Sequence, residues 1–171
     1  MRCRAVFLIL ILLLISGVAF AFSVNADVLS LATLFTPGKG GRLNTTFDLA
    51  SDLRLDLSLG VHIINTEEVD LNVFECDLAF DYFPFDPYGF YTGVSLLHLC
   101  YLTGLDCPAS PFVNMLDIRV GYLFVINHFS IDIRLNMCEL GARFSTSSEI
   151  LQDNFYQFKK YNLNLFLGWK L

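Results

Sequence analysis

The chain has 171 residues, 54% of them hydrophobic, with 11 basic and 17 acidic side chains and a net charge of −6. That is one domain in size, and too apolar for an average soluble protein. Setting aside Arg2 and Arg4 of the leader described below leaves 9 basic against 17 acidic residues, a balance of −8 that excludes binding nucleic acid through its phosphates.

Arg2 and Arg4 precede an unbroken apolar run over 6–15, and Ala19-Phe20-Ala21 then supplies the small-x-small pattern read by a signal peptidase. The expectation is a secretory signal peptide over 1–21 and one mature domain over 22–171, with a second acceptable cleavage site after Val24-Asn25-Ala26. The run falls short of the ~20 residues a spanning helix needs. Charges and amides break every later apolar stretch, so a mature chain that enters a membrane enters as strands. Cys3 leaves with the leader; Cys76, Cys100, Cys107 and Cys138 remain. Four cysteines in an oxidising compartment permit three pairings, and the sequence does not choose among them. Cys100 and Cys107 flank a predicted loop and are the first pair to test for a disulfide, with buried free thiols as the alternative. No CxxC or HxxxH spacing occurs, so neither a metal nor a cofactor is expected.

In chain order, an irregular first strand is predicted over 27–35, then a flexible Gly38-Lys39-Gly40-Gly41 connection that lacks the context of a phosphate loop. Leu43-Asn44-Thr45-Thr46-Phe47-Asp48-Leu49 alternates as a strand, and after Ser51-Asp52 so does Leu53-Arg54-Leu55-Asp56-Leu57-Ser58-Leu59-Gly60-Val61-His62-Ile63. A helix would scatter those leucines around its circumference. The fourth strand, 69–82, changes phase near Val73-Phe74, the signature of a β-bulge. After Pro84-Phe85-Asp86-Pro87, the fifth strand, 88–101, is apolar on both faces. Leu116-Asp117-Ile118-Arg119-Val120-Gly121-Tyr122, Phe129-Ser130-Ile131-Asp132-Ile133-Arg134-Leu135-Asn136-Met137 and 161–171 complete eight. Short turns at 51–52, 84–87 and 127–128 alternate with connections at 37–41, 65–68, 102–111 and 144–154. The fold class expected is all-β: an eight-stranded antiparallel up-and-down transmembrane barrel, with short turns on one side and longer loops on the other.

A lipocalin-like soluble barrel alternates too, so the chemistry of the polar face decides. It is mostly Asp, Asn, Ser, Thr, Gly and Arg, and the whole chain has four Lys. Small polar groups with a few Arg suit a narrow lumen. Arg42, Asp48, Arg54, Asp56, Asp77, Asp117, Arg119, Asp132, Arg134 and Lys170 are predicted to form a structural network there. Such a network fills an eight-stranded barrel, whose interior is only just wide enough for side chains. Leucines and phenylalanines on the other face would meet lipid. Tyr82, Tyr88, Tyr122, Tyr161 and Trp169 fall near predicted strand ends, where amphipathic rings favour the membrane interface.

The whole mature sequence resembles the small eight-stranded bacterial outer-membrane barrels of the OmpX- and OmpW-like group. The most specific part is Tyr161-Asn162-Leu163-Asn164-Leu165-Phe166-Leu167-Gly168-Trp169-Lys170-Leu171, similar to the terminal strand read by the barrel-assembly machinery, although it ends in Leu171 where that pattern has Phe. The resemblance implies an outer-membrane location, lipid contact, and partners met by loops 102–111 and 144–154. His128-Phe129-Ser130 with Glu139 also resembles the His-x-Ser and downstream Glu of outer-membrane lipid A deacylases, with Ile131 in place of that family's Asn. His128 sits on the turn side, away from the outer leaflet, so the chain is not expected to be an enzyme. A structural or surface-interaction role is placed first. The alternative is a narrow conduit or binding barrel for small or hydrophobic molecules, lined by Leu97, Leu99, Leu123 and Phe166.

Overall fold

A computed structural model describes residues 22–32, 38–65, 70–85, 87–105, 112–140 and 161–171. Eight strands form a closed barrel in chain order: β1 (Phe22–Asp27), β2 (Gly38–Asp48), β3 (Leu53–Asn65), β4 (Asp70–Tyr82), β5 (Gly89–Thr103), β6 (Phe112–Ile126), β7 (Phe129–Leu140) and β8 (Tyr161–Lys170). Every neighbouring pair is antiparallel, and β1 closes the ring on β8 with Ser23 opposite Lys170. The connections 49–52, 83–88 and 127–128 share one end with the start of β1 and the end of β8. The strand ends that flank 28–37, 66–69, 104–111 and 141–160 lie at the opposite, loop end.

Three predicted boundaries are corrected. The first strand is Phe22–Asp27, not 27–35, because Ser23, Asn25 and Asp27 supply its inward face. A five-residue helix, α1 (Val28–Ala32), follows. Asp27 starts it: its Oδ1 accepts the Leu29 amide at 3.1 Å, and the Ser30 hydroxyl donates to the Asp27 carbonyl at 2.9 Å. Gly38-Lys39-Gly40-Gly41 belongs to β2 instead of a loop. A side chain at Gly40 would collide with the ring of His62, its cross-strand partner, so glycine here makes room for a large inward neighbour.

The third correction moves the bulge. β4 alternates without a break, with Leu71, Val73, Glu75, Asp77, Ala79 and Asp81 all buried. The register shift lies in β5, where pairing to β6 lapses between Val94 and His98, and pairing to β4 slips between Leu78 and Ala79. Leu96 and Leu97 are consecutive and both outward, 59% and 42% exposed. One extra residue therefore shifts the phase of β5, from Tyr91, Gly93 and Ser95 inward to His98, Cys100 and Leu102 inward. That phase shift is why β5 looks apolar on both faces in the sequence.

The distribution of polarity is inverted relative to a soluble protein. Arg42, Arg54, Arg119, Arg134 and seven carboxylates are buried, whereas Leu43, Leu59, Val61, Ile63, Leu116, Ile118, Leu135 and Leu163 are exposed. A continuous apolar exterior of this kind suits hydrocarbon and not water. Aromatic rings flank the aliphatic band. Phe22, Tyr82, Phe90, Phe129 and Trp169 lie toward the turn end, and Phe74, Tyr101 and Phe112 toward the loop end, with the rings of Tyr101 and Phe112 in tilted contact at 4.9 Å.

Candidate functional site

The lumen holds the chemistry. Alternation along β3 to β7 brings three guanidiniums and four carboxylates into its turn-side half. Arg54 donates to Asp81 at 2.7 Å and Asp132 at 3.3 Å. Arg119 donates to Asp81 at 2.7 Å and Asp77 at 3.3 Å, and lies 3.5 Å from Asp56. Arg134 donates to Asp56 and Asp132, both at 2.8 Å, and to the Tyr91 hydroxyl at 2.9 Å. Tyr91 in turn donates to Asp132 at 2.6 Å. The flat faces of the guanidiniums rest on rings: Arg54 on Tyr91 at 4.8 Å and Arg134 on Phe166 at 4.7 Å. Charges buried this completely persist only when nearly every donor and acceptor is used. Gly93 and Gly121 make this possible, since a side chain at either would strike Asp81 and Arg119 or the Tyr91 ring.

A second cluster lies nearer the loop end around Glu75. This carboxylate accepts from Arg42, from His98 Nε2 at 2.8 Å and from His62 Nε2, 3.2 Å away. Beyond it the inward face turns apolar: Ile64, Leu71, Val73, Cys100, Leu102, Val113 and Met115 are all buried. On the β1 side, amides and hydroxyls carry on the packing, with Asn25 donating to Asn44, Asn44 to Ser58 and Ser130 to Asn25 at 2.8 to 3.0 Å. The interior is thus occupied along its length by side chains.

All ten predicted network residues face the interior, and the structure separates them by depth. Asp48 and Lys170 sit at the turn-end mouth, joined at 2.7 Å and only partly buried. There a cavity of about 360 Å³ opens, walled by Asp48, Leu53, Arg54, Phe83, Tyr88 and Lys170. Tyr88 lies in the β4–β5 turn, its hydroxyl accepting from Lys170 at 2.6 Å. Tyr82, Tyr122 and Trp169 are exposed on the outer wall; the side chain of Tyr161 lies outside the described residues. Glu75, Asp81, Tyr91, His62 and His98 were not singled out for the network. Asp81 and Glu75 carry a signal in the sequence, since both share the period of two with Asp77 beyond Val73-Phe74. Tyr91 and His98 sit on either side of the bulge, and no local pattern places both inward.

Leu123 and Phe166 line the interior, but Leu97 and Leu99 point outward, so the expected apolar conduit loses half its wall. Cys100 is buried in the lumen, and Cys107 lies outside the described residues. The hydrolase-like residues do not assemble. His128 is in the exposed β6–β7 turn with Nδ1 3.1 Å from the Lys170 carbonyl, and the Ser130 hydroxyl is committed to Asn25. Glu139 follows Ser130 nine positions along the same strand, roughly 30 Å away at the usual strand rise.

No family model matches the sequence, and no curated protein does. Among solved structures, the Yersinia pestis outer membrane protein Ail in a phospholipid bilayer nanodisc is similar, with a TM-score of 0.53 and 11% sequence identity. The match covers 89% of this chain and 99% of Ail. At that identity the likeness concerns the fold. A closed antiparallel ring, an apolar outer wall, a charged interior and this structural neighbour together show that the chain has the fold of the small eight-stranded transmembrane barrels.

Proposed function

We propose that the protein is an exported outer-membrane barrel whose role is structural or carried by its loop-end surface. The observation that carries this reading is the lumen: four buried arginines are ion-paired to buried carboxylates across its interior, an arrangement that favours a packed barrel over an open conduit. Binding then falls to the connections 104–111 and 141–160, which contain most of the two loops expected from the sequence. The first is too short for a large contact surface, and the second, joining β7 to β8, offers the most chain for a partner.

Export by a signal peptide over 1–21, with cleavage after Ala21, fits the barrel. Cleavage after Ala26 would remove nearly all of β1, including the buried Ser23 and Asn25. Strand β8, with Trp169 outward at its end, is the segment we assign to the assembly machinery. The test is fractionation with the outer membrane together with a heat-modifiable gel band, followed by planar-bilayer recording. The expected result is a carbonate-resistant, heat-modifiable and electrically silent protein. Reproducible single-channel steps would restore the conduit, and a folded monomer in plain buffer would overturn the membrane assignment altogether.

A further inference from the structure

Between the two charged clusters, three inward side chains from adjacent strands converge: Asp77 on β4, His98 on β5 and Asp117 on β6. One ligand-type atom of each lies within 4.8 Å of the other two, and all three residues are buried. Two of them are anchored on one side and open on the other. His98 Nε2 donates to Glu75, which leaves Nδ1 as a lone pair with no hydrogen-bond partner among the described residues. Asp77 accepts from Arg119 through Oδ2, and its Oδ1 has no hydrogen-bond partner among the described residues. Neither oxygen of Asp117 has a hydrogen-bond partner among the described residues, and Oδ2 stands 3.9 Å from His98 Nδ1.

Asp77 Oδ1, both oxygens of Asp117 and the His98 Nδ1 lone pair form a set of buried acceptor atoms to which no donor is hydrogen-bonded among the described residues, an arrangement that is costly unless a cation completes it. The charge balance agrees. Among the described buried residues, seven carboxylates (Asp27, Asp56, Glu75, Asp77, Asp81, Asp117 and Asp132) stand against four guanidiniums, an excess of three negative charges. The Glu75–His98 contact also supplies the outer support that metal-bound histidines generally have, a carboxylate holding the ring nitrogen remote from the ion.

We propose that Asp77, His98 and Asp117 bind one divalent transition-metal ion of the zinc class, with Glu75 as a positioning residue for His98. An imidazole with two carboxylates favours zinc, cobalt or nickel over magnesium or calcium, which take oxygen ligands. Ligands bound at about 2.0–2.2 Å stand roughly 3.3 Å apart, so side-chain rotations of about an ångström close the set. Metal-site spacing in the sequence gave no sign of it because each ligand comes from a different strand. The location suggests what the ion does. Pairing of β5 with β6 is interrupted between Val94 and His98, opposite Leu116 and Asp117, so an ion held by His98 and Asp117 bridges the wall where backbone hydrogen bonds are missing.

The test uses the full mature barrel refolded in detergent, once with chelator and once with Co²⁺ or Zn²⁺, then desalted. The expected result is about one Co²⁺ retained per folded barrel, with visible d–d absorption and no thiolate charge-transfer band, displaced by Zn²⁺ and raising the unfolding temperature over the chelated form. Asp117→Asn and His98→Gln should each weaken retention at least ~100-fold while the heat-modifiable band persists. Glu75→Gln should weaken it by about 10–100-fold, and Asp48→Asn at the mouth should leave it unchanged. The wild-type measurement decides even where a variant fails to fold. No metal retained after refolding with Co²⁺ or Zn²⁺ overturns the site, as does a thiolate band or an Asp117→Asn barrel that holds cobalt as tightly as wild type. Both the location and the role argued above could stand or fall separately from this result.

Discussion

Arg134 on β7 meets Asp56 on β3 at 2.8 Å, although these strands lie on opposite walls of the barrel. The contact spans the lumen, and Asp132 on the same strand and Tyr91 on β5 also accept from the same guanidinium. Removing Arg134 takes a 2.8 Å charged donor from two buried carboxylates at once. Arg134→Met is expected to lower unfolding free energy by about 3–5 kcal/mol, measured by urea titration of the barrel folded into lipid vesicles. Arg134→Lys should recover little of it, since one ammonium cannot reproduce the fork that reaches Asp56, Asp132 and Tyr91 together. A loss below ~1 kcal/mol for either variant would show that the network is not what packs the interior.

The outer wall makes a depth-dependent prediction. Leu59 stands at the middle of β3 and faces outward, and Ile126 ends β6 at the turn end. Leu59→Arg should cost about 2–4 kcal/mol and Ile126→Arg about 0–1 kcal/mol in the same titration, as charge is moved from the centre of the hydrocarbon to its edge. Equal costs at the two sites would refute the assignment of the exterior to lipid.

Gly121 lies opposite Tyr91 in the β5–β6 ladder, and a side chain there would overlap the phenol ring. Gly121→Val should destabilise by about 1–3 kcal/mol through overpacking. Tyr91→Ala removes the obstacle, so the double variant should be more stable than the sum of the single losses predicts. Additive losses would mean that the valine is accommodated elsewhere.

The mature N-terminus is expected at Phe22, as read by intact mass of the protein recovered from outer membranes. A chain engineered to begin at Asp27 lacks the Ser23–Thr46 bond at 2.6 Å and the Asn25–Asn44 bond at 2.8 Å. It should give no heat-modifiable band. A compact band from that shortened chain would move the leader boundary to the second site.

Much of the barrel was legible because a period of two survives wherever one face meets charge and the other meets hydrocarbon. β3 shows this best: Arg54, Asp56, Ser58 and His62 go in, and Leu55, Leu57 and Leu59 go out. The signal failed in β5 for a physical reason. The extra residue at Leu96-Leu97 reverses the alternation halfway, so no single phase accounts for both Tyr91 and His98. It failed in β1 because Phe22–Asp27 abuts the apolar segment expected to be a leader and its inward residues are small and neutral until Asp27. The Asp77, His98 and Asp117 cluster was invisible for another reason: proximity across three strands depends on register, and a single shifted residue in β5 would turn His98 away from the two aspartates.

The ring is joined where Ser23 lies beside Lys170, the greatest separation along the chain of any pairing in the wall. Contacts between remote segments form slowly, because the entropy of closing so long a loop must be overcome before they contribute anything. Until then β1 has an unpaired flank, and an exposed strand flank recruits other chains. The interval before β1 meets β8 is therefore the stage at which this polypeptide is most open to pairing with other chains. A nascent form arrested before β8 would behave as an aggregating sheet and not as a smaller cylinder.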